Sequence, residues 1–375
     1  MELCSPQRDG DRSTGIAWAL ARDGDLVETG SSGFKVPAPA VRAPFLLGSV
    51  TKPIVATAAL RLAQRGVIDL DDRLTRWLPP SLFAQAHGSP STPTLAEVLA
   101  HVGGFGAHHD FTYGATARHP DVMIDRYGVR FNAPGSRFEY SNLGYAAVGR
   151  VLEAAAGIPL GELLSSEVAS PLGLSTLAFG PAEPPGAAKR YAASGAEYPL
   201  YDTSHAAASL AWASAPDLAL FGQAHTARHP YLAPAMRARG HASSAATAND
   251  SVGYATGWAT RTIDGITVLV HGGSMGGVSA GLIVVPALGL SAAAVVNVTD
   301  RNGAVDDVLN RLLVAEWPRY APIEDAPRPS DRTLVGYWTG ERDTGGEAPD
   351  HAPNRRQRPC RGCDRRGRGG RTLPV

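Results

Sequence analysis

The amino-acid sequence predicts a mixed α+β fold, and three observations support this prediction. Residues 15–30 form two strand-like runs on either side of Asp23-Gly24, a dipeptide that strongly favours a hairpin turn. Residues 53–64 are rich in Ala and Leu and predict a helix. Residues 254–298 contain four runs of strand length separated by turn residues. Strands near both ends of the chain with helices between them are typical of the α+β class.

Local signals define the remaining elements in chain order. Thr94 is placed to cap a short helix, and Ser214 has the same role at the start of a later one. Residues 143–156 carry an apolar helical period that stops at Gly157. We expect strands at 254–263, 267–270, 280–285 and 291–298, a glycine-rich stretch between strands at 271–277, and a closing amphipathic helix at 305–317.

Composition excludes several classes of protein. The 375 residues, 44% of them hydrophobic, are enough for a sizeable core in one domain or two. The 35 basic and 35 acidic residues balance, so no overall charge attracts nucleic acid or an anionic membrane. Residues 1–13 lack the apolar run of a secretory signal, and no stretch is long and apolar enough to span a membrane. We therefore expect a cytoplasmic protein without a nucleic-acid partner, a membrane partner or a cofactor.

The segment Gly48-Ser49-Val50-Thr51-Lys52 is the strongest candidate for catalytic chemistry. Because residues three apart share a helix face, Ser49 and Lys52 lie side by side if the helix begins near Ser49. Pro53 fits such a start, since first-turn N–H groups have no helical partner anyway. A hydroxyl, an amine and the free N–H groups of a helix N-terminus are what acyl transfer requires.

The lysine of this segment is informative because the chain contains three lysines, Lys35, Lys52 and Lys189. Lysine loses its proton readily when it is buried, whereas arginine does not, so Lys52 is suited to act as a base. A second Ser-x-x-Lys match runs from Ser32 to Lys35, in a strand-like stretch where its two ends do not meet on a helix face. The sequence therefore favours Ser49 over Ser32 as a nucleophile.

Two further motifs carry polar groups. Tyr140-Ser141-Asn142 lies at the entrance of a predicted helix, where a phenol can relay a proton and an amide can donate and accept hydrogen bonds. Taken alone, this motif favours a tyrosine packed under a helix cap over a functional tyrosine. His271-Gly272-Gly273-Ser274 follows a predicted strand, where glycines let another backbone or a substrate approach closely. The alternative interpretation is a flexible hairpin loop with a histidine nearby.

A group of histidines raises the question of a metal site. His101, His108, His109 and His119 lie in one loop-rich region together with Asp110. Their spacing matches no standard set of metal ligands, so histidines in loops are the favoured interpretation. We expect no metal ion.

Three motifs in order indicate a family. Ser49-Val50-Thr51-Lys52, Tyr140-Ser141-Asn142 and His271-Gly272-Gly273 resemble the signatures of the serine β-lactamase-related hydrolases. That superfamily includes class C β-lactamases, penicillin-binding DD-peptidases and lactamase-like esterases. The stretches LAHVGGF, PGSRFEYSNLGYAAVGRVLE and GGVSAGLIVVP extend the resemblance over about residues 15–317. It implies a β-lactamase/transpeptidase-like fold, in which the N-terminal hairpin and the C-terminal strands form an antiparallel sheet that is flanked by helices.

The resemblance also implies a role for each motif residue. Ser49 would be the nucleophile of an acyl-enzyme mechanism, and Lys52 and Tyr140 would share proton transfer as the general base. The backbone N–H groups of Ser49 and Ser274 would form the oxyanion hole. The substrate-binding residues would be Asn142, His271, Gly272, Gly273 and Ser274.

His271 departs from the family pattern, because β-lactamases and DD-peptidases commonly carry a lysine that holds the substrate carboxylate there. A histidine of ordinary pKa, about 6.5, is mostly neutral at pH 7. An ester, an amide or a small peptide is therefore favoured as the substrate. Two alternatives stay open: a β-lactamase or DD-peptidase acting on β-lactams or peptidoglycan peptides, and a non-catalytic penicillin-binding-like sensor.

The domain organisation follows from this interpretation. We expect an N-terminal tail at 1–13, a β-lactamase-related domain at 14–320 with a mostly helical insertion at about 70–250, and a C-terminal extension at 321–375. The extension is rich in Arg, Gly and Pro and poor in apolar residues, so it is predicted to be disordered or a truncated appended β domain. Cys4, Cys360 and Cys363 lie near the chain ends, so no disulfide framework is expected.

Overall fold

A computed structural model describes residues 15–33, 40–83, 91–130, 132–247 and 252–321. The predicted N-terminal tail, Lys35, the three cysteines and residues 322–375 lie outside these ranges. Within them, strands from both ends of the chain share one sheet. The strands are β1 (Ile16–Arg22), β2 (Asp25–Ser32), β3 (Phe45–Leu46), β4 (Thr112–Tyr113), β5 (Ala178–Phe179), β6 (Tyr201–Asp202), β7 (Ala211–Ala213), β8 (Ala245–Ala246), β9 (Gly253–Tyr254), β10 (Ala259–Ile263), β11 (Ile266–Met275), β12 (Val278–Val285) and β13 (Leu290–Val296).

The described strands of the main sheet are antiparallel and follow the order β2-β1-β13-β12-β11-β10-β9-β8. The N-terminal hairpin therefore pairs with β13, the last strand that the structure describes, from Ile16 opposite Val296 to Arg22 opposite Leu290. Two smaller sheets have the orders β3-β7-β5 and β4-β6.

Helices cover this sheet, and several of them lie with loops and short strands in the segment at about 70–250. They are α1 (Thr51–Gln64), α2 (Leu95–Leu99), α3 (Pro120–Tyr127), α4 (Asn142–Ala156), α5 (Leu160–Leu164), α6 (Ser170–Leu172), α7 (Ala215–Gln223), α8 (Pro234–His241) and α9 (Asn302–Glu316), with a π-helical turn at Ser165–Ala169. None of these described helices has both the length and the apolar character that crossing a membrane requires.

The two faces of the sheet pack against different helices. Along β1, Ala17 and Ala19 point into a core that is shared with α1 and α7, whereas Trp18 and Leu20 point into a second core with α9. Successive side chains of a strand face opposite ways, and here both sides are buried, as expected for a sheet between two helical layers. The α+β fold class is confirmed.

Most local predictions are also confirmed. Asp23 and Gly24 have φ angles of 52° and 99°. Positive φ angles at both central residues are what a two-residue hairpin turn requires if it is to match the twist of the two strands. At the start of α2, Thr94 accepts a hydrogen bond from the Glu97 amide (3.2 Å), and the Glu97 carboxylate accepts one from the Thr94 amide (2.7 Å). Gly157 ends α4 in the left-handed conformation, with φ of 71°.

Two predictions in the C-terminal strands were wrong. Residues 271–275 belong to β11, where the sequence suggested a loop, because their backbone pairs with β12 from Leu269 opposite Val284 to Met275 opposite Val278. Residues 254–263 form two short strands, β9 and β10, that pair antiparallel with each other across a turn. In both places the pairing partner, and not the residue type, decides the conformation.

Candidate active site

Ser49 lies in a 3₁₀ turn, Gly48–Val50, that leads directly into α1. Strand β7 holds this turn in place. The carbonyl of Ala211 accepts a hydrogen bond from the Leu47 amide (2.8 Å), and the amide of Ala211 donates to the Thr51 hydroxyl (2.9 Å). The backbone of a single residue therefore fixes both sides of Ser49.

Lys52 lies behind Ser49 and is completely buried, with 0% exposure. Its Nζ is 3.2 Å from the Ser49 Oγ, 2.8 Å from the Asn142 Oδ1 and 3.2 Å from the Ala208 carbonyl oxygen. These contacts are a hydroxyl, an amide and a carbonyl, and none of them carries a negative charge. Burial therefore lowers the pKa of Lys52 well below its ordinary value, which favours the neutral amine.

The orientation of the Asn142 amide is fixed by its other contacts. Its Nδ2 donates to the His108 carbonyl oxygen (2.9 Å) and lies 3.1 Å from the Nδ1 of His109. A backbone carbonyl can only accept, so the NH₂ group faces His108 and the Oδ1 faces Lys52. Asn142 is therefore a fixed acceptor for the lysine and lies behind the cleft.

Tyr140 lies over the same lysine, with the Lys52 Nζ 4.5 Å from the centre of its ring. Burial raises the pKa of Tyr140 above its ordinary value, and a hydrogen bond with Ser49 only partly opposes this. Tyr140 is therefore a neutral phenol that can donate a proton but is a poor base in this state. Ser49 contacts both Lys52 and Tyr140, so these three predicted catalytic residues meet at one point.

His101 supports Tyr140, a role that the sequence did not reveal. Its Nδ1 accepts a hydrogen bond from the Ser141 amide (3.1 Å), and its ring lies 4.2 Å from that of Tyr140, centre to centre. Burial lowers the pKa of His101, and the charge of Lys52 acts in the same direction. The only available signal was the position of His101 within the LAHVGGF stretch.

The other residues of the predicted histidine group have separate contacts. His119 caps α3, since its Nδ1 accepts a hydrogen bond from the Asp121 amide (3.3 Å). The Asp110 carboxylate lies 3.7 Å from the His108 Nε2 and 3.5 Å from the ring of His205. Among the described residues, no three His, Cys, Asp or Glu side chains are arranged to hold a metal ion.

His271 begins the part of β11 that is free on one side. Pairing between β10 and β11 ends at Ala259 opposite Val270, and from His271 onward the edge faces a cleft. The Nε2 of His271 is 2.9 Å from the Tyr254 hydroxyl, and its Nδ1 is 2.8 Å from the Gly272 carbonyl oxygen. Burial, followed by the charge of Lys52, lowers the pKa of His271 to about 3, so the ring is neutral at pH 7.

The cleft has a volume of about 410 Å³ and brings six of the eight predicted site residues together, while Lys52 and Asn142 lie behind it. Tyr254 and Asn302 also line it, and no sequence motif pointed to either. The residues that line the cleft are Ser49, Tyr140, Tyr254, Ala259, Val270, His271, Gly272, Gly273, Ser274 and Asn302.

One face of β11 packs directly on the turn that carries Ser49. A Cβ atom on Gly273 would overlap the carbonyl oxygen of Leu47 and would lie 3.1 Å from the Ser49 amide nitrogen. A Cβ atom on Gly48 would lie 3.2 Å from the amide nitrogen of Ser274. Glycine at 273 therefore allows the backbone of the turn that carries Ser49 to approach closely.

We expect Gly273→Ala to lower the free energy of unfolding by about 1–3 kcal/mol, because the added methyl group forces the strand and the turn apart. Gly272→Ala is a matched control, since its Cβ would lie 3.9 Å from the nearest atom, the Ala280 carbonyl oxygen. It should cost less than about 1 kcal/mol. Urea unfolding of the two variants measures the difference, and equal losses would contradict the close packing described above.

Comparisons with known proteins agree with this fold. The family model of the β-lactamases matches residues 3–316. Esterase EstB of Burkholderia gladioli is 36% identical over 162 residues, which cover 37% of this chain and 39% of that protein. Penicillin-binding protein 4 of Amycolatopsis lactamdurans is 28% identical over 369 residues, 87% of this chain and 93% of that protein. The chain therefore belongs to the β-lactamase family, as the three ordered motifs predicted.

A solved structure gives the same result for the fold. The octameric penicillin-binding protein homologue from Pyrococcus abyssi aligns with a TM-score of 0.68 at 20% sequence identity, over 80% of this chain and 73% of that one. The chain matches only about two fifths of the esterase, so the resemblance to that protein concerns part of its length.

Proposed function

We propose that this protein is a serine hydrolase that cleaves esters, amides or small peptides through an acyl-enzyme on Ser49. The observation that carries the proposal is the buried amine of Lys52, which lies 3.2 Å from the Ser49 hydroxyl without a charged partner among its contacts. A serine hydroxyl is a weak nucleophile until a neighbouring base takes its proton. Lys52 is the candidate for that base.

The hydrogen bonds of Lys52 support this role. A neutral amine has two N–H donors and one lone pair. The Asn142 Oδ1 and the Ala208 carbonyl oxygen can only accept, so they take both donors. The lone pair then faces the Ser49 hydroxyl, which can donate. The arrangement is that of a base already hydrogen-bonded to the proton it removes.

The reaction follows from these contacts. The Ser49 Oγ attacks the substrate carbonyl carbon while its proton moves to the Nζ of Lys52, and the carbonyl oxygen takes the negative charge. The N–H groups of Ser49 and Ser274 are the candidates for stabilising this oxyanion. When the tetrahedral intermediate collapses, the leaving group departs with a proton from the Lys52–Tyr140 pair. Water then repeats the sequence on the acyl-enzyme and releases the acid.

A second candidate function is the hydrolysis of β-lactams or D-alanyl peptides. The similarity to Penicillin-binding protein 4 of Amycolatopsis lactamdurans, over 93% of that protein, favours it. The free edge of β11 also suits a peptide, because an extended chain can pair with an open strand. Against it, no lysine or arginine that could hold the carboxylate of such substrates is found among the described residues that line the cleft.

A panel of chromogenic substrates separates the two functions. We expect a higher kcat/KM for p-nitrophenyl acetate and butyrate than for a chromogenic cephalosporin. For D-alanine p-nitroanilide we expect either an intermediate kcat/KM or no hydrolysis. Rapid turnover of the cephalosporin with slow turnover of the esters would favour the second function instead. If no substrate is hydrolysed and a fluorophosphonate does not label the protein, the remaining interpretation is a non-catalytic sensor.

A further inference from the structure

The contacts of His271 fix which of its nitrogens carries the proton. Its Nδ1 lies 2.8 Å from the Gly272 carbonyl oxygen, which can only accept, so the Nδ1 is the donor. In the neutral ring the Nε2 is then an acceptor, and the Tyr254 hydroxyl, 2.9 Å away, donates to it. Both nitrogens of His271 are therefore committed to partners within the protein.

Among the described residues that line the cleft there is no lysine or arginine. The wall of the cleft around His271 includes four aromatic or aliphatic side chains, those of Tyr140, Tyr254, Ala259 and Val270, and the neutral amide of Asn302 also lines the cleft. Lys52 lies behind Ser49 and already has hydrogen-bond partners within the protein. A carboxylate that leaves water for such a wall loses hydration without gaining an ionic partner, which is unfavourable.

The position of Tyr254 is itself well defined. The residue is 3% exposed, and its ring packs against those of His101 (4.8 Å between centres) and Phe138 (5.5 Å). Pairing of β9 with β10 places Tyr254 opposite Ala259, beside the end of β10. Since these contacts hold the ring, the hydroxyl has little freedom to leave the Nε2 of His271.

We propose that Tyr254 is a specificity-determining residue. Its hydroxyl holds the Nε2 of His271 in a hydrogen bond, and the enzyme therefore prefers substrates that are uncharged where they face this wall. This inference rests on the proposed function of the same site. It narrows the substrate class to neutral esters and amides, and it excludes efficient use of substrates that present a carboxylate there. Tyr254 acts through His271 and is a positioning residue, whereas His271 itself faces the substrate.

Two pairs of substrates test the inference. Mono-p-nitrophenyl adipate and its methyl ester differ in the charge of the acyl part. The acetyl thioester of 3-mercaptopropionate and its methyl ester differ in the charge of the leaving part, and a thiol reagent follows their cleavage. We expect the wild-type enzyme to prefer the neutral member of at least one pair about tenfold or more in kcat/KM, which corresponds to about 1.4 kcal/mol.

Three variants connect this preference to the residues. Tyr254→Phe keeps the packed ring but removes the hydroxyl that donates to the Nε2 of His271, so this nitrogen can take up a proton and pair with a carboxylate. His271→Lys introduces an amine at the same position. Both should reduce the preference about tenfold, mainly through a lower KM for the charged member. Tyr113→Phe is the control, because it removes a tyrosine hydroxyl that contacts Tyr198 and not His271, and it should leave the preference unchanged.

The outcomes are distinct. Equal use of both members of both pairs by the wild-type enzyme would overturn the inference and leave the proposed function standing. So would an unchanged preference in folded Tyr254→Phe, even if His271→Lys does not fold. Absence of turnover with both members of both pairs would refute the proposed function and this inference together.

Discussion

Replacing Ser49 by alanine should reduce hydrolysis of p-nitrophenyl butyrate by about 10⁴-fold or more, close to the background rate. The hydroxyl is the only group of this residue that can form the acyl-enzyme, and its removal leaves the bulk of the site intact. Ser32→Ala is the matched control, because Ser32 heads the second Ser-x-x-Lys match. It lies at the end of β2, an edge strand of the main sheet, where it pairs with Ile16. Its turnover should stay within about twofold of the wild type.

A fluorophosphonate probe gives an independent measurement of the same assignment. The wild type and Ser32→Ala should become labelled, with the added mass on the peptide that contains Ser49, and Ser49→Ala should not. Labelling that survives in Ser49→Ala, or an equal loss of activity in both variants, would reverse the assignment. An unlabelled wild-type protein that is folded would point to a non-catalytic binding protein.

The parts of the fold that were predicted correctly depend on a few neighbouring residues. The turn at Asp23-Gly24 requires positive φ angles, which glycine and aspartate tolerate best in this kind of turn. The capping box of Thr94 and Glu97 is closed within four residues. Ser49 and Lys52 meet because one helical turn brings them together. Structure that is determined by interactions between residues close together in the chain can be predicted from the sequence.

The parts that were missed depend on contacts between distant segments. Residues 271–275 extend β11 because β12 offers a partner for each of them, although glycine by itself disfavours strands. Tyr254 reaches His271 because β9, β10 and β11 are neighbours in the sheet. No spacing rule in the sequence relates a tyrosine to a histidine through two strand pairings. The hydrogen bond between Tyr254 and His271 could therefore not be predicted from the sequence.

His101 shows how one group of residues can mislead. It was placed with His108, His109 and His119 because they are close in sequence, yet its nitrogen holds the Ser141 amide beneath Tyr140. Burial keeps such a histidine neutral, and a neutral imidazole can act as a hydrogen-bond acceptor in the core. The nearness of these residues in the chain therefore says little about a shared function.

The pH dependence of the wild type should reflect the state of Lys52. Only the neutral amine can take the serine proton, so the rate is low where Lys52 is protonated and rises as the pH passes its pKa. Because burial lowers the pKa of Lys52 well below 10.5, the rise should be complete at a pH well below that value. Stopped-flow acylation with a p-nitrophenyl ester, measured from pH 5 to 10, follows it.

Lys52→Arg should lower acylation at the plateau by about 10²–10⁴-fold and should remove this rise with pH, because a guanidinium stays protonated throughout the range. Lys189→Arg is the control, since Lys189 is an exposed partner of Glu183, and it should leave the profile unchanged. If the Tyr140 phenolate were the base and Lys52 supplied only charge, arginine would largely preserve the rate and Tyr140→Phe would be the more damaging change. The raised pKa of Tyr140 favours the first outcome. Near-wild-type acylation in both Lys52→Arg and Tyr140→Phe would refute the proposed mechanism altogether.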